Sequence, residues 1–195
     1  MGVFVCPGGD REINYIVILS LSKNSLVFRQ AQHDNPKSLI ADIYSMNTKL
    51  KTLQIIHLAL CAGVFLFALV TIFLNREMTF FDGNPKSTAP FNPIFPIVGL
   101  ITISASIFFF KNVIAKIDKS ADADSKINQY QSAFIVSSAL LEGGALFNTV
   151  GFFITQNSFF LIFAAANFIF LILKRPTKDK LISALQLQYP DTEAF

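Results

Sequence analysis

The fold is decided by residues 53–74, which read LQIIHLALCAGVFLFALVTIFL and include no Asp, Glu, Lys or Arg. At about 1.5 Å of rise per residue, a helix of this length crosses a hydrocarbon core of about 30 Å. Three further apolar runs follow it, at 94–110, 132–155 and 159–173. The sequence therefore predicts four transmembrane helices, the shorter ones completed by flanking residues at the membrane interfaces.

The composition supports the same interpretation. Of the 195 residues, 52% are hydrophobic and only 15% are charged, whereas soluble domains average about 25% charged residues. The many Phe side chains of the last two runs lie all round their helices, as expected where lipid is the solvent. We therefore predict an all-α integral membrane protein. Only Gln156-Asn157-Ser158 separates the third and fourth spans, so these two spans are predicted to form a tight antiparallel hairpin.

The basic residues predict the orientation. Basic side chains accumulate in cytoplasmic loops, and eleven of them border the spans on one side against two on the other. This distribution places both termini and the second loop in the cytoplasm, in agreement with an even number of spans. The eleven are Lys37, Lys49, Lys51, Lys111, Lys116, Lys119, Lys126, Lys174, Arg175, Lys178 and Lys180, and the two are Arg76 and Lys86.

Three parts are predicted along the chain: a tail at 1–45, a membrane domain at 46–175 and a cytoplasmic tail at 176–195. The stretch from Leu19 to Asp34 resembles peptides encoded when short intergenic repeats of some bacterial genomes are read in frame. One hypothesis is therefore that translation begins at Met46. The alternative is a native but poorly ordered cytoplasmic tail.

A short amphipathic helix is predicted after the fourth span. Pro176 ends that span and Thr177 is a helix-capping residue type. Leu181, Ile182 and Leu185 then share one helical face, which suits the cytoplasmic interface of a membrane. The alternative is a frayed polar tail.

Ionisable groups within the membrane are the main lead to function. Glu142 lies near the middle of the third span, where an acid costs on the order of 3 kcal/mol on insertion scales. His57 lies about one turn inside the first span. Both are candidates for binding an ion or a proton. The alternatives are a structural partner for Glu142 and an interfacial or packing role for His57.

The remaining polar residues of the spans are predicted to hold helices together. Counting from the cytoplasmic ends places a polar cluster in the inner half of the membrane. Asn148 and Asn167 lie at matching distances from the short turn and are expected to hydrogen-bond across the hairpin. Small residues spaced by four, Ala59 with Gly63 and Ala139 with Gly143, allow close helix approach. The inner cluster comprises His57, Ser104, Ser106, Ser137, Ser138 and Glu142.

Two resemblances bear on these predictions. The segment Ala139-Leu-Leu-Glu142-Gly-Gly-Ala-Leu-Phe147 resembles the carboxylate-bearing helix of the proteolipid c subunit of rotary ATPases. That resemblance implies a proton- or ion-binding role for Glu142, although the family also has a glycine-rich partner helix and the second span holds only Gly99. From Met46 onward, the chain resembles small four-span bacterial inner-membrane proteins with no assigned activity.

The sequence as a whole predicts a structural or accessory subunit of a larger assembly in the bacterial inner membrane. The alternative is a proton- or ion-linked carrier built on Glu142. We expect no enzymatic activity, since the chain has no nucleophile–base pair, metal-ligand set or phosphate-binding loop. No cofactor or metal is predicted. The expected partners are the lipid bilayer and either other membrane proteins or further copies of the chain, and not nucleic acid.

Overall fold

The computed structural model describes residues 36–77, 79–84, 86–87, 90–118 and 121–186, with side-chain surroundings from residue 47 onward. These residues form five helices and no strand, so the described part of the chain is all-helical, as predicted. The helices are α1 (Pro36–Leu74), α2 (Phe91–Ala115), α3 (Ala123–Thr155), α4 (Phe159–Leu173) and α5 (Lys178–Leu185).

Three of the described helices are long and apolar enough to cross a membrane. They are α1 from Asn47 onward, α2 and α3. Helix α4 has 15 residues, which is about 22 Å. It reaches membrane length only when α5 is counted with it across a bend of 80°. The described residues thus contain three candidate membrane spans, or four if the bent pair is one span.

The helices extend beyond the predicted apolar runs. Helix α1 begins at Pro36, so residues 36–45, which the sequence assigned to a poorly ordered tail, are helical and continuous with the first span. Residues 1–35 lie outside the described residues, and a start of translation at Met46 stays a prediction. Helix α2 begins at Phe91, and Pro96 therefore lies inside it, where it lacks the N–H that would bond to the carbonyl of Asn92.

Helix α3 is the centre of the bundle and packs against each of the other four helices. Its N-terminus is capped by Asp122, whose side chain accepts a hydrogen bond from the Ser125 N–H. Three buried clusters follow α3 from one end to the other. They contain Ile127 and Phe134, then Leu141 and Ala145, then Phe152.

The predicted hairpin is formed by α3 and α4, which are separated by three residues. Gln156 ends α3 in the left-handed conformation, with φ 61°, and its N–H donates to the Phe152 carbonyl at 2.7 Å. This left-handed turn reverses the chain at once, so α4 packs back along α3.

The predicted amphipathic helix is present as α5. The Thr177 side chain accepts the N–H of Lys180 and caps its first turn. Leu181 and Leu185 are buried in one cluster with side chains of α1, α2 and α3. The apolar face of α5 is therefore covered by the bundle rather than left open to the membrane interface.

The sides of the bundle are apolar. On α1, Leu58, Phe65 and Leu69 are each more than half exposed, at 69%, 55% and 52%. Exposed apolar side chains also occur along α2 and α4. An apolar surface of this extent is unusual for a soluble monomer and is expected where lipid covers the helices.

Candidate functional site

The candidate site consists of the polar side chains within the helical bundle, beginning with His57. The side chain of His57 is buried, and its Nε2 donates to the Leu171 carbonyl at 2.8 Å. Leu171 belongs to the last turn of α4, and its carbonyl also accepts the Lys174 N–H at 3.1 Å. The imidazole ring also packs on Phe134, with ring centroids 6.0 Å apart. His57 therefore links α1 to the end of α4.

Ser106 and Ser137 form a second polar contact. The hydroxyl of Ser106 donates to the Ser137 carbonyl at 2.6 Å and accepts a hydrogen bond from Lys174 Nζ at 3.0 Å. Lys174 follows the last residue of α4, and its ammonium group lies 4.8 Å from the ring centroid of Phe110. These contacts join α2, α3 and the C-terminal end of α4 at the same height along the bundle.

The other members of the predicted inner cluster lie apart. Ser104 is exposed, and its hydroxyl donates to the Leu100 carbonyl of its own helix. Ser138 is buried, and its hydroxyl has no hydrogen-bond partner within the described part of the chain. The six residues that were predicted to form one inner polar cluster therefore lie in several separate environments.

Asn148 and Asn167 meet at a glycine of α2. Asn167 donates to the Gly99 carbonyl at 3.0 Å and accepts from the Thr102 hydroxyl at 3.0 Å. Asn148 donates to the Gly144 carbonyl at 2.9 Å, and its Oδ1 is buried with no hydrogen-bond partner among the residues that the structure describes. No hydrogen bond joins the two asparagines directly, because Asn167 turns both ends of its amide toward α2.

Two glycines make this polar contact sterically possible. A Cβ on Gly99 would lie 2.7 Å from Asn148 Nδ2 and 3.4 Å from Asn167 Nδ2. A Cβ on Gly144 would lie 2.1 Å from Thr102 Oγ1 and 2.5 Å from Asn167 Oδ1. Any larger residue would separate the helices and break the hydrogen bonds. In the sequence, Thr102 has no signal, Gly144 appears only within the segment that resembles the proteolipid helix, and Gly99 appears only as the single glycine of its span.

Glu142 lies half-buried on the side of α3 that faces α1. Its Oε1 is 4.0 Å from the position that a Cβ on Gly63 would occupy. No hydrogen bond or ion pair joins it to another described residue. His57 is not its partner, since the imidazole packs on Phe134, eight residues or about 12 Å before Glu142 along α3.

A second polar site caps the opposite end of the bundle and was missed in the sequence. Asn157, in the turn between α3 and α4, is fully buried. Its amide donates to the Asp82 carbonyl at 2.7 Å and to Asn92 Oδ1 at 3.2 Å. Asn92 in turn donates to the Asn84 carbonyl at 2.7 Å. The sequence signal for this site is that Asn157 is a polar residue between two long apolar runs. That signal does not identify Asp82 and Asn92 as its partners.

Asp82 organises the loop that Asn157 holds. Its carboxylate accepts hydrogen bonds from the Ser87 hydroxyl and from the Asn84 N–H. These two bonds hold the pKa of Asp82 below its ordinary value, the Ser87 bond having the larger effect. Asp82 is thus a structural residue of the loop, held in its ionised form.

Most of these polar side chains form hydrogen bonds with one another or with the backbone, so their role is structural. Among the described residues, no group of three or more His, Cys, Asp or Glu side chains is placed to hold a metal ion. Glu142, within the apolar run at 132–155, has no hydrogen-bond or ion-pair partner in the part of the chain that the structure describes. No protein-family model matches the chain, and neither curated proteins nor solved structures gave a significant match.

Proposed function

We propose that this protein is a structural or accessory subunit of a larger membrane assembly, and that it binds its partner through Glu142. The proposal includes four spans with both termini in the cytoplasm, location in the bacterial inner membrane, and no catalytic activity. The observation that carries it is a carboxyl group within the membrane part of α3 that has no partner among the described residues.

Exposed small residues occur on both α3 and α1 in the region of this carboxyl group, and Gly63 lies next to it. Gly143 and Ala139 are exposed on α3, and Ala59 and Gly63 are exposed on α1. A Cβ on Gly143 would meet no atom within 4 Å. We call these four residues together with Glu142 the α1–α3 groove. Both of the predicted small-residue pairs are thus left open in this chain, and open pairs of this kind allow another helix to approach closely.

An unpartnered acid is costly where lipid is the only neighbour, on the order of 3 kcal/mol on insertion scales. A transmembrane helix that brings a hydrogen-bond donor or a basic side chain to Glu142 would remove this cost. The occupant that we propose for the α1–α3 groove is therefore a transmembrane helix of another membrane protein that carries such a donor. The alternative occupant is a second copy of this chain, and the cross-linking experiment distinguishes the two.

The test is cross-linking in native membranes followed by mass spectrometry. A photoreactive residue at Gly143 should capture a different membrane protein, whereas one at exposed Ala165 of α4 should capture mainly lipid. Gly143→Leu should abolish recovery of the partner in mild detergent, and Ala165→Leu should leave it unchanged. Capture of this chain alone, or equal effects of the two Leu substitutions, would overturn the proposed partner.

The competing function is a proton- or ion-linked carrier that uses the same carboxyl group. His57 contributes less to it, since its Nε2 is occupied by the Leu171 carbonyl. Glu142→Gln separates the two functions because Gln keeps the size and hydrogen bonding of Glu but has no ionisable proton. An accessory subunit should remain assembled, whereas a carrier reconstituted in vesicles should lose proton or ion flux. Labelling by a hydrophobic carbodiimide at Glu142, and not at exposed Glu77, would favour the carrier.

The proposed orientation has its own test. Reporter fusions after Phe81 and after Asn157 should read extracytoplasmic, and those after Ser120 and after Gln188 should read cytoplasmic. A cytoplasmic reading at Phe81 would reverse the orientation. It would not by itself change the proposed role of Glu142, which depends on depth in the membrane and not on direction.

A further inference from the structure

A pocket of about 570 Å³ lies where α2, α3, α4 and α5 meet. We call it the α5 pocket. It is separate from the α1–α3 groove, since none of the five groove residues lines it. Its volume falls within the usual range for binding sites of small molecules.

One end of the α5 pocket is basic. Lys111, Lys174 and Lys180 line it, together with the hydroxyl-bearing Ser183, and no carboxylate is among the described lining residues. Lys174 donates one of its three hydrogens to Ser106, which leaves two N–H groups for another acceptor. Lys180 donates to the carbonyls of Leu173 and Arg175, so its position is fixed by the end of α4.

The rest of the α5 pocket is apolar. Ile107, Phe170 and Leu173 form part of its wall, and each is also exposed on the side of the bundle that lipid would cover. The apolar wall therefore continues into the surface of the bundle. A free anion would use the basic end and leave this wall unused, whereas a lipid would use both.

We propose that the α5 pocket binds an anionic phospholipid, with its phosphate at the three lysines and an acyl chain along Ile107 and Leu173. Basic pockets between transmembrane helices on the cytoplasmic side commonly hold anionic head groups. The proposed orientation, with both termini in the cytoplasm, puts this pocket on that side, and the lipid assignment depends on the proposed orientation in this respect. The bound lipid would lie against α2, α4 and α5, and would hold α5 on the bundle.

The test is native mass spectrometry of the delipidated full chain, titrated with phosphatidylglycerol or with phosphatidylcholine of the same acyl chains. We expect preferential binding of phosphatidylglycerol. Lys111→Gln and Lys174→Gln should each weaken it about fivefold, the usual effect of one lysine near anionic lipid. Lys116→Gln is the control, because Lys116 is an exposed lysine directly after the last residue of α2 and does not line the α5 pocket.

A variant that fills the apolar part tests the lipid assignment. Ile107→Trp keeps every charge and should also weaken phosphatidylglycerol binding, with the thermal unfolding of each variant checked in parallel. Displacement of the lipid by inorganic phosphate, with no effect of Ile107→Trp, would show a site for a free anion and overturn the proposal. An equal loss for Lys116→Gln would show general surface attraction and would also overturn it. Gly143→Leu should leave lipid binding unchanged, so this test is independent of the proposed partner helix.

Discussion

The side chain of Asn157 pairs with the main chain of Asp82 at both of its polar atoms. Asn157 Oδ1 accepts the Asp82 N–H at 3.0 Å, and Asn157 Nδ2 donates to the Asp82 carbonyl at 2.7 Å. Next to this pair, Phe80 accepts from the Ser158 N–H at 2.8 Å and donates to the Gln156 carbonyl at 3.2 Å. The α1–α2 loop is thereby fixed to the α3–α4 turn.

We expect Asn157→Ala to release this loop. The substitution removes the hydrogen bond of the part-buried Asp82 N–H and leaves the Asp82 carbonyl only the 3.4 Å bond from Asn92, which costs about 1 kcal/mol. Thermal unfolding in detergent should fall accordingly, and trypsin should cut faster after Lys86. Asn75→Ala is the control, because Asn75 is partly exposed and makes one long bond of 3.3 Å to Phe153. Equal trypsin sensitivity of the two variants would contradict the role given to Asn157.

Adjacent glycines of α3 should respond in opposite ways. Gly144→Ala places a Cβ 2.1 Å from Thr102 Oγ1, so α2 must move and the free energy of unfolding should drop by about 1–3 kcal/mol. Gly143→Ala meets no atom within 4 Å, and alanine favours the helix, so stability should be unchanged or slightly higher. Unfolding measured side by side in the same detergent checks both, and a larger loss at Gly143 would refute the packing described here.

Thr102 and Asn167 should be energetically coupled. A double-mutant cycle with Thr102→Val and Asn167→Ala should give a coupling energy of about 0.6 kcal/mol, the average for hydrogen bonds between transmembrane helices. The cycle of Thr102→Val with Asn148→Ala is the reference, since no hydrogen bond joins Thr102 to Asn148. Coupling of the same size in both cycles would mean that packing, and not the Thr102–Asn167 bond, produces it.

The loop around Asp82 should loosen in acid. Because hydrogen bonds lower the pKa of Asp82 in the folded protein, its ionised form stabilises the loop above the ordinary aspartate pKa. That contribution is lost as the pH falls through the lowered pKa. Amide hydrogen exchange at Asn84, corrected for the intrinsic rate, should therefore accelerate on acidification. Asp82→Asn should remove this pH dependence, and an unchanged profile in that variant would assign it to another group.

The apolar runs of the sequence correspond to helices because a segment within a membrane must form its backbone hydrogen bonds internally. Each backbone polar group must bond within its own segment when no water is available. The run at 159–173 coincides with α4, and the run at 53–74 ends at the last residue of α1. The boundaries at 36, 91 and 123 were not predictable from hydrophobicity, because those helix ends extend beyond the apolar segments.

The depth of each polar residue follows from the sequence alone, since it requires only the number of residues from a span end. Counting placed Asn148 and Asn167 at one level and Glu142 near the middle of α3. The tertiary structure alone decides which way each side chain points. Asn167 bonds to α2 rather than to Asn148, Glu142 lies beside Gly63, and Asn157 holds a loop 75 residues away. Such pairings depend on the rotation of each helix about its axis and on close contacts at glycine, which arise only when all the helices pack together.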